Sequence, residues 1–230
     1  MTEMPTSNGA GNHRGTVAPT PAPEARSGAD ETGPETIIAA VDLLAHYWSR
    51  PLSDEVGTWV EARELEAETD VRISSNLLRE AIRVPGLEDV PVLLEEYERL
   101  FVGPGQVPCP PYESFWREDV PVDIRRTLMG PCTAELKEIY LELGLQVSSL
   151  SGELPDHIAI ELEAMAYALS FDETEPMARR LFDKHLAQWL PRLCRAVAHE
   201  AEGDFYRDLA VLTLDWIAAI KGYFAVAPAG

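Results

Sequence analysis

The tripeptide Pro155-Asp156-His157, with Glu161 four residues beyond the histidine, is the part of the chain whose residue types and spacing come closest to chemistry. If Asp156 caps a helix here, His157 and Glu161 share one of its faces, near enough for a hydrogen bond, an acid/base pair or two metal ligands. Two ligands do not complete a metal site, and no nucleophile or oxyanion device accompanies the pair. A helical-bundle hydrolase built on His157 and Glu161 is therefore the weakest reading. The others are helix capping by a partly exposed histidine and recognition of a partner.

Elsewhere the reactive inventory is thin. Cys109, Cys132 and Cys194 stand far apart, with no C-x-x-C pair to grip zinc or an iron–sulfur cluster and no even-numbered disulfide framework. His13, His46, His185 and His199 form no motif, and P-loop, G-x-G-x-x-G, H-E-x-x-H and G-x-S-x-G patterns are missing. The expectation is a protein that is not an enzyme and uses no metal or cofactor.

A second feature concerns recognition. Between Val102 and Val120 the chain carries Gly103, Gly105 and four prolines, Pro104, Pro108, Pro110 and Pro111, which hold the backbone extended. A loop of this length inside a domain tends to be functional. Tyr112, Phe115 and Trp116 adjoin the Pro110-Pro111 unit, and Tyr97, Leu100 and Phe101 end the helix that leads into it. Such residues either line an apolar groove for an amphipathic peptide or seal the core.

The elements that must position these residues read as helices throughout. Pro34 opens a helix with Ile37, Val41, Leu44 and Trp48 at helical spacing, ended by Pro51. Ser53 caps a second, and a third holds Leu77, Leu78, Ala81 and Ile82. A fourth starts near Asp89 and Pro91 and carries the stripe Leu93, Leu94, Tyr97, Leu100 and Phe101. Thr133 caps a helix that stops at Gly144, Asp156 caps the next, and Pro176 opens a further one that Pro191 kinks. Asp204 caps the last, with Phe205, Leu209, Leu212, Trp216 and Ile220. No alternating strand pattern and no internal repeat occurs. The fold class is all-α, a single helical bundle of about eight or nine helices over residues 35–225, after a disordered tail over 1–34 rich in Pro, Gly, Ala, Thr and Ser.

The 230 residues are 46% hydrophobic and 25% charged, enough for one sizeable core. The balance of 19 basic against 39 acidic residues gives a net charge of −20, which repels nucleic acid and anionic membranes and suits either a basic partner or simple solubility. Asp215 and Lys221 interrupt the apolar segment near the C-terminus, so stable membrane insertion is not expected. The N-terminus lacks the pattern of a secretory signal, and the expected location is the cytoplasm.

The run Tyr97-Glu98-Arg99-Leu100-Phe101-Val102-Gly103-Pro104, then Pro108-x-Pro110-Pro111-Tyr112-Glu113-Ser114-Phe115-Trp116, then Pro155-Asp156-His157 with Glu161 and Met165, resembles the TorD/DmsD family of cytoplasmic chaperones. Phe205-Tyr206-Arg207 and Trp216 extend the resemblance, which spans roughly residues 36–222. It implies an all-helical protein that binds the twin-arginine leader of a molybdenum-cofactor oxidoreductase of the dimethyl sulfoxide reductase type. The chaperone would hold back export until cofactor is inserted. The implied peptide-binding set is Tyr97, Leu100, Phe101, Pro111, Tyr112, Glu113, Ser114, Trp116, Asp156, His157 and Glu161. Within it, the aromatic and aliphatic residues would take the apolar part of the leader, and Asp156, His157 or Glu113 its polar part. Tyr97 and Tyr112 stand where the DmsD branch has tryptophan, and Glu113 where it has glycine, which points to a different client. An assembly factor that contacts apoenzyme without reading a leader is the alternative. Monomer and helix-exchanged homodimer are both left open.

Overall fold

Helix formation follows the prolines and the apolar spacing. The computed structural model describes residues 34–51, 89–119, 128–147 and 154–226. The expected tail, of which only Pro34 is described, and the helices expected from Ser53 and around Leu77 to Ile82 lie outside the described residues. Helix α1 (Pro34–Trp48) begins at its proline and buries Ile37, Val41, Leu44, Ala45 and Trp48 along one side. Helix α2 (Val90–Tyr97) has Asp89 at its N-cap and Pro91 in its first turn, and it runs on into a π turn over Glu98–Val102. Gly103 ends it at φ 99°, where its amide reaches back to the Glu98 carbonyl at 2.7 Å. A side chain there would be strained.

The connector is not irregular throughout, because Glu113–Trp116 form a short helix, α3. Helix α4 (Pro131–Glu142) starts from Gly130, and Thr133 is a buried residue of its first turn, not its cap. Its end matches the sequence: Gly144 sits at φ 73° and the Leu145 amide donates to the Tyr140 carbonyl at 2.7 Å. Helix α5 (Ile158–Leu169) is followed by α6 (Glu175–Leu181), a π turn (Phe182–Leu186) and α7 (Ala187–Glu200). Pro191 lies inside α7 without ending it. The widened turn just before, where the Ala187 amide reaches Phe182 five residues back, takes up the misfit of a helix that lacks one N–H.

Helix α8 (Asp204–Val226) is 23 residues long and, by length and composition, apolar enough to cross a membrane despite Asp215 and Lys221. Its apolar side is core: Leu209, Leu212, Trp216 and Ile220 are buried as α8 packs on α7 and α1. Polar groups tie that layer together. Trp48 Nε1 donates to Thr213 Oγ1 at 3.0 Å, and Trp216 Nε1 donates to the Ile37 carbonyl at 3.3 Å. Helix α1 also packs closely on α5, the helix that carries Glu161. Among the described residues there is no β-strand, as the all-α reading expects.

Candidate functional site

The π turn after α2 inserts one residue into the helical stack and keeps Tyr97 and Phe101 against each other, with ring centroids 5.0 Å apart. Phe101 also meets Trp48 at 5.8 Å and Tyr206 at 5.4 Å, so this end of α2 is anchored in the core by rings. From that floor the chain turns at Gly103 and returns as Pro110-Pro111-Tyr112, which makes a wall.

The wall is fastened to the start of α5. The Ile158 amide donates to the Pro111 carbonyl at 2.9 Å, the Glu113 amide donates to the Asp156 carbonyl at 2.9 Å, and Tyr112 and His157 form an isolated antiparallel bridge. Asp156 does not cap α5. Its Oδ2 accepts the Ser114 amide at 3.2 Å and so caps α3 from across the site. The α5 cap is His157, whose backbone is extended and whose Nδ1 accepts the Ala159 amide at 3.2 Å. His157 is buried, and burial pushes its imidazole down to about 4, so at neutral pH the ring is uncharged.

Below the wall lies an ionic cluster centred on a buried carboxylate. Glu113 is fully buried, with Arg117 Nη1 on one oxygen at 2.5 Å and His185 Nδ1 on the other at 2.8 Å. Arg117 is also bound by Asp119, which with Glu113 holds its guanidinium above the ordinary arginine value against the opposing effect of burial. Glu161 is fully buried, because Trp189 of α7 covers it and donates Nε1 to Glu161 Oε2 at 3.2 Å. Burial, then the charge of Glu113, drive the Glu161 carboxyl well above the usual range. Burial pushes the Cys109 and Cys132 thiols up to about 12 and Cys194 higher, so all three are inert, buried thiols.

The open space is a groove of about 650 Å3 above the floor, lined by Tyr97, Phe101, Pro111, Tyr112 and His157 together with Arg50, Val102, Gln106, Val107, Pro110, Phe115 and Leu128. Its surface is mostly aromatic and aliphatic. It offers a peptide apolar contact and offers no nucleophile. Among the described residues no group of three or more His, Cys, Asp or Glu is placed to hold a metal.

The expected site residues thus divide by whether they line the groove: Tyr97, Phe101, Pro111, Tyr112 and His157 do, and of these all but Tyr112 are themselves buried, so the groove meets only their edges. Leu100 is buried below the floor, where its carbonyl accepts the Cys109 amide at 2.9 Å. Glu113, Ser114, Asp156 and Glu161 are buried under the wall and line no part of the groove. Trp116 faces a neighbouring cavity of about 330 Å3 and donates Nε1 to the Pro110 carbonyl at 2.7 Å, which stiffens the wall from behind. Sequence reasoning missed Arg50, Val102, Gln106, Val107 and Leu128. The two valines belong to the proline-rich connector already singled out, whereas nothing local marks Arg50 or Leu128.

A family model described as nitrate reductase delta subunit matches residues 65–195. Among curated proteins, the Tat proofreading chaperone DmsD of Salmonella typhi is 31% identical over 140 residues, which cover 59% of this chain and 66% of that protein. The chaperone protein TorD of Shewanella piezotolerans is 29% identical, over 54% of this chain and 59% of its own length. The match therefore spans 59 to 66% of these relatives' length, less than two thirds. A solved structure from Archaeoglobus fulgidus, described as a redox enzyme maturation protein, is 20% identical with a TM-score of 0.47 and covers 82% of this chain and 93% of its own.

Proposed function

The chain belongs to the nitrate reductase delta subunit family, the TorD/DmsD group that its motifs resemble, and from that premise we propose that it is a cytoplasmic chaperone without enzymatic activity. Its client is the apo form of a molybdopterin-dependent oxidoreductase catalytic subunit. It binds that subunit's twin-arginine leader and assists cofactor insertion before export. The observation that most supports this reading is the groove over Tyr97 and Phe101, walled by Pro110, Pro111 and Tyr112. Its apolar surface and open upper side suit the hydrophobic stretch of a leader better than a small substrate.

Of the residues that the resemblance implies, Tyr97, Phe101, Pro111, Tyr112 and His157 would meet the leader. Glu113, Ser114, Asp156 and Glu161 would act by holding the wall from beneath. The test is affinity purification of the tagged chain from its native host under molybdoenzyme-inducing conditions, followed by mass spectrometry. A co-purifying molybdoenzyme precursor that still bears its leader, lost with Tyr112→Ala, supports the reading. Recovery of apoenzyme that lacks a leader supports an assembly factor of the other kind and overturns it.

A further inference from the structure

The carboxylates that sequence alone offers to a leader's arginines, Glu113 and Asp156, are buried and engaged within the protein. The guanidinium groups of a twin-arginine leader need a different place. Beside the aromatic groove is a second cavity of about 700 Å3, whose apolar lining includes Pro91, Leu94 and Pro104 and whose edge carries Glu95 and Glu98 beside Arg99, a cation already engaged by Glu96, Glu202 and the Glu200 carbonyl. Gln106 lines both cavities, so the two adjoin across the connector.

These edge carboxylates differ from the other acid of the same helix. Glu96 is buried and committed, since its Oε1 accepts the Glu202 and Gly203 amides at 2.7 and 2.9 Å. Glu95 is exposed and makes no ion pair among the described residues. Glu98 stands one helical turn from Glu95 and carries a guanidinium already: Arg50 Nη2 lies 2.5 Å from its Oε1, with side-chain exposures of 54% and 33%. Arg50 in turn lines the aromatic groove, so this ion pair stands at the junction of the two cavities.

Resting on the leader-binding reading above, we propose that Glu98, assisted by Glu95, is the subsite for a leader arginine, and that Arg50 occupies Glu98 until the leader displaces it. The leader's apolar stretch then lies over Tyr97, Phe101 and Tyr112. The exchange trades one arginine–carboxylate pair for another, so it costs little, and an exposed pair of this kind holds weakly in the first place. Charge complementarity supplies the rest: a basic segment meets two carboxylates on a strongly acidic chain.

The full-length chain is titrated against two synthetic fluorescent peptides, one with two consecutive arginines followed by an apolar Leu/Ala stretch, the other with both arginines changed to glutamine. Wild type is expected to prefer the arginine peptide by about tenfold. Glu95→Gln with Glu98→Gln should reduce that preference to less than about twofold without weakening the glutamine peptide, and Arg50→Ala should tighten only the arginine peptide, by about threefold. A tenfold preference that survives in the double variant, or an Arg50→Ala variant with unchanged affinities, overturns the subsite while the leader-binding reading stands. Failure of wild type to bind either peptide overturns the leader-binding reading itself. Circular dichroism of each variant separates a lost subsite from a lost fold.

Discussion

Tyr112 and His157 stand opposite each other as an isolated antiparallel bridge, their rings 5.3 Å apart at an interplanar angle of 70°. Forty-five positions separate them in the chain, yet their neighbours on both sides are joined by backbone hydrogen bonds, from Ile158 to Pro111 and from Glu113 to Asp156. The two motifs that carry the resemblance are therefore halves of one structural unit. Asp156 is the clip that closes it.

Replacing Asp156 by alanine removes the acceptor for the Ser114 amide and frees the first turn of α3 inside a buried setting. The expected loss is about 1–3 kcal/mol of stability, read as a lower urea midpoint, together with weaker leader binding. Asp156→Asn keeps an acceptor and should recover most of both. If Asp156→Ala lost affinity at unchanged stability, the aspartate would have to touch the leader directly, against its burial.

Glu113 is the more sensitive member of the cluster. Glu113→Ala strands Arg117 and His185 under the wall, and truncation of one member of a buried ionic pair costs about 3–5 kcal/mol. The lower end is expected here because Asp119 retains Arg117. Chemical denaturation monitored by tryptophan fluorescence checks it, and a loss under about 1 kcal/mol would show that the cluster is not a stabilising anchor.

These two residues also mark what the sequence made legible. Prolines, glycines and apolar spacing gave the helix order, the end of α2 at Gly103 and the end of α4 at Gly144, because those signals act within a few residues. The depth of a side chain is set by what packs over it from elsewhere. Glu161 looked available to a partner until Trp189 covered it, Asp156 looked like a local cap until Ser114 came across the site, and Arg50 gave no hint that it reaches Glu98. The aromatic floor was readable because Tyr97 and Phe101 share one helix, whereas the polar partners were not, since each joins two distant segments.

Stability should depend on pH through Glu161 and His157 in opposite directions. Burial and the charges of Glu113 and Asp156 raise the Glu161 carboxyl, while the Trp189 hydrogen bond and Arg117 oppose the rise. The folded chain then binds more protons than the unfolded one, so this contribution is complete below the unfolded value of 4.5 and is lost as pH rises toward the folded value. For His157, lowered to about 4, the contribution is present above the unfolded value of 6.5 and is lost as pH falls toward 4. Above the unfolded His157 value of 6.5 its contribution is constant, so any slope the two add there comes from Glu161. Glu161→Gln keeps an acceptor for Trp189 without the charge, and it should be more stable than the parent at about pH 8, with a flatter profile. A variant whose denaturation midpoint falls with pH as steeply as the parent's would refute this.

Gly203 lines neither the aromatic groove nor the cavity beside it and tests how Glu96 is held. A Cβ there would stand 2.5 Å from Glu96 Oε2, while Glu96 Oε1 is held by the amides of Glu202 and Gly203 itself. Gly203→Ala must swing that carboxylate off both amides, at a cost of about 1–2 kcal/mol. Combined with Glu96→Ala the costs should be less than additive, since both changes remove the same interaction.

Phe101 and Tyr112 separate the two duties that the groove's rings perform. Phe101 is 4% exposed and touches Trp48, Tyr97 and Tyr206, so Phe101→Ala opens the core and should cost about 3–5 kcal/mol whether or not a leader binds. Tyr112 is half-buried at the wall, with its ring on the groove and its backbone held by the bridge to His157, which a substitution leaves in place. Tyr112→Ala should therefore lower leader affinity about tenfold at a stability cost near 1 kcal/mol, and Tyr112→Phe should keep the apolar contact and most of the affinity. Isothermal titration with denaturation midpoints measured on the same preparations decides it. Affinity that tracks stability equally in both alanine variants would mean that the rings only seal the bundle, and the groove would then not be the binding surface.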